Sequence, residues 1–126
     1  MIAYSSLLST LGSNVLELKF NRRRPRKNVS SSRRMLCTLD YGLLNSEKGL
    51  SVLHFKSPTN TSSYNTKEHG LVVAWDILLQ DWRTINTESC NIITTIPSSP
   101  QDEFWEYFNN IILPMSPAQK EAFINS

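Results

Sequence analysis

What the 126 residues lack excludes several kinds of chemistry at the outset. There are only two histidines, His54 and His69, and two cysteines, Cys37 and Cys90, with no Cys-x-x-Cys or His-x-x-x-His spacing. A zinc site would need all four to converge from distant stretches, so no metal is expected. The four glycines, Gly12, Gly42, Gly49 and Gly70, are isolated, and without a glycine-rich phosphate loop nucleotide hydrolysis has no support. Nucleophilic catalysis would require a cysteine beside a histidine, but Cys37 and Cys90 sit among apolar strand neighbours, where core packing as reduced, partly buried thiols explains them better. Asp76 and Asp81 flank a hairpin connection, a position in which aspartates ordinarily bond the turn backbone rather than form an acid–base pair. A protein that is not an enzyme and carries no cofactor is the expectation. No run approaches the ~18 consecutive apolar residues of a membrane helix, which predicts a soluble chain without membrane contact. The segment Met1–Leu11 lacks a basic start and a continuous apolar core, so it is expected to stay in the mature protein rather than act as a secretory signal.

What is present fits one small domain with an appendage. The net charge of +2 hides an asymmetry. Residues 1–34 hold eight basic side chains against Glu17 alone, a net +7, whereas the remainder holds five basic and ten acidic ones, a net −5. One end of the molecule is basic and the other acidic.

The strongest structural signal is Leu71–Asn86, an apolar run, a few turn residues and a second run opening on Trp82-Arg83, which predicts two strands of a hairpin. Before it, Ile2, Leu7, Leu8 and Leu11 follow helical spacing up to Gly12. Val15–Phe20 alternates, with Leu16, Leu18 and Phe20 on one side and Glu17 and Lys19 on the other. Arg34–Leu39 resumes that period with Met35, Cys37 and Leu39 inward, making residues 21–34 the exposed, mobile tip and stems of a basic hairpin. Ser51–Lys56 reads as a third strand, residues 57–70 as loop, Thr87–Cys90 as one helical turn and Asn91–Ile96 as a closing strand ended by Pro97. The period then changes. Ser99 as N-cap and Pro100 at the first helical position open a helix whose Phe104, Phe108, Ile111 and Ile112 share a face, and Ser116-Pro117 opens a last short helix. The predicted organisation is an N-terminal segment 1–14, a small antiparallel five-stranded barrel over 15–97, and a helical extension over 98–126.

The order of Leu16-Glu17-Leu18-Lys19-Phe20, a basic hairpin, Arg34-Met35-Leu36-Cys37-Thr38-Leu39, a long loop, and Val73-Ala74-Trp75-Asp76 with Asp81-Trp82-Arg83-Thr84-Ile85 resembles the small SH3-like barrel proteins of T-even-type tailed bacteriophages and cyanophages. The similarity spans about residues 15–96. That family is distantly similar to the WYL domains of bacterial regulators, whose arginine-rich segment contributes to a nucleic-acid or effector pocket. Laid on this chain, the segment falls on Arg83–Cys90 and keeps only its first arginine, with Asn86 and Ser89 in place of the others and Glu88 for the acid. The resemblance implies a phage protein acting in the host cytoplasm, or alternatively packaged in the virion.

Two sets of residues follow as candidate sites. Arg22, Arg23, Arg24, Arg26, Lys27, Arg33 and Arg34, with Arg83, form the cationic set, suited to phosphate or carboxylate because guanidinium forks grip both in pairs. With few aromatics beside it, contact with nucleic acid would run along the backbone and be sequence-blind. The partner is a nucleic acid or an acidic protein surface, including a macromolecular complex such as the transcription apparatus. A solvated tip that aids solubility remains the plainer alternative. Trp82, Trp105, Tyr107 and Phe108 are candidates for a protein partner or a second copy of the chain, against the ordinary reading of such aromatics as core. The second functional reading is accordingly a virion or assembly component acting through protein–protein packing.

Overall fold

The computed structural model describes residues 2–22, 31–58 and 68–126. Leu71–Asn86 forms the expected hairpin, β3 (Leu71–Asp76) and β4 (Asp81–Asn86), paired from Leu71↔Asn86 to Asp76↔Asp81. Asp76 organises the connection. Its Oδ1 accepts the backbone N–H groups of Leu78 and Leu79, each at 3.0 Å, while its carbonyl accepts that of Gln80 at 2.8 Å. Gln80 closes the turn in the left-handed region, at φ 56°.

The alternating stretches become β1 (Asn14–Asn21) and β2 (Ser32–Thr38), antiparallel from Val15↔Thr38 to Asn21↔Ser32. On the other side of β1 runs β5 (Asn91–Pro97), also antiparallel, with a register shift opposite Glu17 and Leu18. The strand order is β4-β3-β2-β1-β5, so β4 and β5 are edges and the sheet is not a closed barrel. Closure is what the sequence reading overstated. Only Cys37↔Asp76 and Thr38↔Trp75 pair β2 with β3, continued by the Ile77 N–H on the Leu36 carbonyl at 2.9 Å. The sheet still curls, since the Asn21 N–H reaches Ser89 Oγ at 2.8 Å and Asn86 Nδ2 reaches the Asn21 carbonyl at 3.4 Å.

Both faces of the sheet are buried. On one, the N-terminal helix α1 (Tyr4–Leu11) seals Leu16, Leu18, Phe20, Met35, Cys37 and Ile85 with Leu7 and Leu11. On the other, Val15, Leu36 and Trp75 meet α2 (Tyr41–Leu44), α3 (Glu47–Ser51) and the C-terminal aromatics Phe104, Trp105 and Phe108. Helices α2 and α3 begin on side-chain caps from Asp40 and Ser46. Gly49 is required between them, because a Cβ there would lie 2.2 Å from the Leu43 carbonyl oxygen.

The third strand expected at Ser51–Lys56 does not exist. Ser51 ends α3, and the Phe55 N–H turns back to the Gly49 carbonyl at 3.1 Å. His54, at φ 56°, interrupts the extended conformation a strand needs, although Leu53 and Phe55 are both buried as their alternation implied. After a 3-10 turn over Thr87–Ser89 and then β5, helix α4 (Gln101–Tyr107) starts one residue later than expected, with Pro100 rather than Ser99 at the N-cap. It widens into a π-helical turn, Phe108–Ile112, closed by the Leu113 N–H on the Phe108 carbonyl at 2.8 Å. The wider turn carries Ile111 out to solvent, away from the face it was expected to share with Phe108 and Ile112. Helix α5 (Pro117–Ile124) ends the fold, opened by the predicted Ser116 with a full capping box to Gln119.

Candidate functional site

The arginines at the hairpin stem have been given partners by the fold. Arg33 lies on the same side of β2 as Met35 and Cys37, so the strand alternation turns it inward, onto the α1 side of the sheet. It is 8% exposed and bonds the Oδ2 of Asp76, the carboxylate whose other oxygen holds the β3–β4 turn. Burial pulls the guanidinium pKa down, opposed by Asp76 and reinforced by the nearby charges of Arg22 and Arg83. Burial also lifts the Asp76 carboxyl, while the Leu79 N–H, Arg33 and the Leu78 N–H hold it down. Arg33 is thus a structural cation joining the basic hairpin to the turn of the second hairpin.

Arg34 points to the opposite face. Its Nε lies 3.5 Å from Glu17 Oε2, and its guanidinium carbon sits 5.2 Å above the ring of Phe123 on α5. Arg22 Nη2 donates to Asn125 Oδ1 at 2.8 Å, just beyond the end of that helix. Arg83 bonds Asp81 Oδ2 at 2.9 Å and the Trp82 carbonyl at 2.8 Å, and keeps 39% of its side chain exposed. Both aspartates bond turn or adjacent backbone, as their flanking positions implied, and each also takes an arginine.

The hairpin stem extends to Arg22, whose N–H bonds the Ser31 carbonyl at 2.8 Å. Arg23, Arg24, Arg26 and Lys27, the other members of the cationic set, lie outside the described residues, as does the expectation of a mobile tip. They belong to the eight-residue connection that joins Arg22 to Ser31.

The aromatic candidates are drawn mainly into packing. Trp82 is half-buried in a triangle with Trp75 and Phe55, at centroid distances of 5.6 and 5.8 Å, and its indole N–H donates to the Lys56 carbonyl at 2.9 Å. Trp105 and Phe108 are buried against Phe104. Tyr107 is half-buried, and its phenol pKa is raised by burial and then by the charge of Glu17. Of these four, Trp82 and Tyr107 retain some access to solvent.

Cys37 and Cys90 are reduced and buried under α1. Desolvation raises both thiols, Cys37 well above its ordinary value and Cys90 to about 11, so neither is a nucleophile near neutrality. Among the described residues no three His, Cys, Asp or Glu side chains gather in a way that could hold a metal ion, and no helix is long and apolar enough to cross a membrane. Compared with models of known families, with curated proteins and with solved structures, the chain matches none.

The sequence reading missed Asp76 as the partner of Arg33, and Phe123 and Asn125 as partners of Arg34 and Arg22. A signal for the first was available, since Arg33, Met35 and Cys37 share a strand parity. Nothing local announces the other two.

Proposed function

We propose that the chain is a non-enzymatic binding protein, phage-encoded on the strength of its resemblance, whose basic hairpin engages an anionic partner: the backbone of a nucleic acid or of a nucleoprotein machine. The observation that carries this reading is the division of labour among the arginines. Arg22, Arg33 and Arg34 hold the stem to Asn125, Asp76 and Glu17. The stem closes with the bond between Arg22 and Ser31, so the connection bearing Arg23, Arg24, Arg26 and Lys27 leaves and re-enters the sheet at adjacent points. Four cations within five residues, mounted on a braced stem, suit a run of phosphates better than a single small anion.

The test is binding to duplex and single-stranded nucleic acid across a salt series. Changing Arg23, Arg24, Arg26 and Lys27 to glutamine should weaken binding and flatten the plot of log affinity against log salt by about 0.9 for each duplex phosphate left without its cation. Equivalent changes at Lys48 and Lys56 should do neither. Absence of binding at low salt, or equal weakening by both sets, overturns the proposal.

A specific feature favours a second reading, in which the chain packs in a virion or assembly intermediate. Edge strand β5 pairs only with β1, and Asn91–Ile96 contains no charge and no proline while Ile92 and Ile93 stand 36% and 42% exposed. Edges of this kind accept another strand unless something covers them. Many copies in purified particles would support it, and their absence would remove it.

A further inference from the structure

Away from the basic hairpin, three segments distant in sequence enclose a cleft of about 350 Å³. Its floor is Ile77, Phe108 and Ile112, each buried, and Leu113, 64% exposed, forms the lip. The polar lining comes from Ser51, His54, Gln80 and Lys120, and among the described residues no aspartate or glutamate lines the cleft. Those same walls hold three backbone irregularities. His54 and Gln80 are the two described residues other than glycine with positive φ, both at 56°. Phe108 and Ile112 are the first and last residues of the π-helical turn. Left-handed backbone at a side-chain-bearing residue is held only where surrounding structure enforces it, and π-turns concentrate at functional positions. Both have a local role as well, Gln80 closing the β3–β4 turn and His54 preceding Phe55, whose N–H turns back to the Gly49 carbonyl at the end of α3.

We infer that this cleft binds a small amphipathic carboxylate, a chain of about eight carbons or its aromatic equivalent, with the carboxylate at Lys120 and His54 and the tail across Ile77, Phe108 and Ile112 beneath Leu113. The charge selects the head group, because among the described residues the one of fixed charge in the lining is a lysine. The volume selects the size, lying near the lower end of the ~300–1,000 Å³ typical of small-molecule sites. The floor selects the tail, since an apolar chain there would also cover Leu113, the most exposed of the large apolar side chains among the described residues. The three irregularities shape the space: the π-turn keeps Phe108 and Ile112 on its floor and Leu113 at its lip while Ile111 stands clear of it, and the left-handed bends lie at His54 and Gln80, two of its polar lining residues.

The experiment is a titration of the full chain with sodium octanoate, followed by backbone amide and His54 ring resonances, with octylamine and 1-octanol as controls. Octanoate should give saturable shifts at His54, Gln80 and Leu113 with Kd ~1 mM or tighter, as suits a fragment-sized ligand. Octylamine should bind at least about fivefold more weakly, because its head carries the wrong sign. Lys120→Met keeps the apolar stem and should weaken octanoate at least about fivefold while leaving octanol unchanged. Leu113→Ser, at an exposed site that threatens no core, should weaken octanoate and octanol alike. The inference is overturned if no saturable shift appears by about 10 mM octanoate, if the shifts scatter away from the cleft, if octylamine binds as well as octanoate, or if Lys120→Met leaves octanoate binding unchanged.

Discussion

The two terminal helices are the same length and are held in opposite ways. Helix α1 spans eight residues, has no side-chain cap and has no charge placed to complement its dipole, yet Leu7 and Leu11 are completely buried on the sheet. Helix α5, also eight residues, has a proline at its start and a reciprocal Ser116–Gln119 capping box, with bonds of 3.1 and 2.8 Å, yet buries no residue fully. Its attachments are Phe123 under Arg34, Asn125 beside Arg22, and the partial packing of Phe123 and Ile124 on the core. Good local chemistry and strong tertiary anchoring are thus separate properties. Helices as short as these draw most of their stability from packing, so α1 should open only with the whole fold, whereas α5 should open locally.

The largest effect that would break this comparison lies in the sheet under α1. Arg33→Met leaves the Asp76 carboxylate buried without its cation and should cost about 3–5 kcal/mol in denaturant unfolding, whereas the double change with Asp76→Leu should recover part of that loss. Recovery would be incomplete because Asp76 also bonds the Leu78 and Leu79 N–H groups. Next comes Leu11→Ala, which empties a fully buried site and should cost about 2–5 kcal/mol with no change in cooperativity. A non-cooperative loss confined to α1 would mean that α1, like α5, is an appendage.

Alkaline pH probes the same face. In the folded chain Cys90 titrates at about 11, against an ordinary thiol near 9 in the unfolded one. The unfolded state therefore loses its proton first. The associated stability is intact below about pH 9 and declines as pH rises toward 11, by at most about 2–3 kcal/mol. Comparing unfolding curves for Cys90→Ala and the native chain at pH 7.5 and pH 10.5 isolates this component, which should vanish in the variant. Alkylation of either cysteine at pH 8 should proceed only as fast as the protein unfolds.

What could be read in advance divides along the same line. Elements specified by their own residues were legible: β1 and β2 from clean alternation, β3–β4 from apolar runs around the turn aspartates, and α5 from Ser116-Pro117. Elements decided by distant packing were not. Leu53 and Phe55 alternate as a strand would, but Gly49 seats α3 against the carbonyls of α2, and His54 then bends the chain. Arg33 sits in a basic run that reads as solvated, and its burial depends on a carboxylate 43 positions away. The cleft combines residues 51–54, 77–80 and 108–120, three segments with no relation in sequence. The charge asymmetry of the chain located the basic hairpin but not which arginines the fold would occupy.

A smaller effect should separate α5 from the rest. Ser116→Ala removes an acceptor for the Gln119 N–H and should cost about 1 kcal/mol, felt within α5 rather than globally. Amide exchange should accelerate over residues 117–125 while the amides of β1 and β2 keep their protection. Loss of protection throughout would show that α5 is integral to the core.

The smallest expected effect is also the most discriminating. Arg34→Gln removes the cation above Phe123 and the ion pair with Glu17, interactions worth about 0.5–1 kcal/mol each at partly exposed sites. Global stability should hardly change, because Arg34 keeps 33% of its side chain exposed and fills no core position. If α5 is held by the basic stem, its amides should exchange several-fold faster in the variant, roughly threefold to fivefold for a loss near 1 kcal/mol. Arg22→Gln should act on the same amides through Asn125, and the two effects should add if the interactions are independent. If neither change alters exchange in α5, the helix is held by its partly buried Phe123 and Ile124 alone, and it then resembles α1 in kind, differing only in degree.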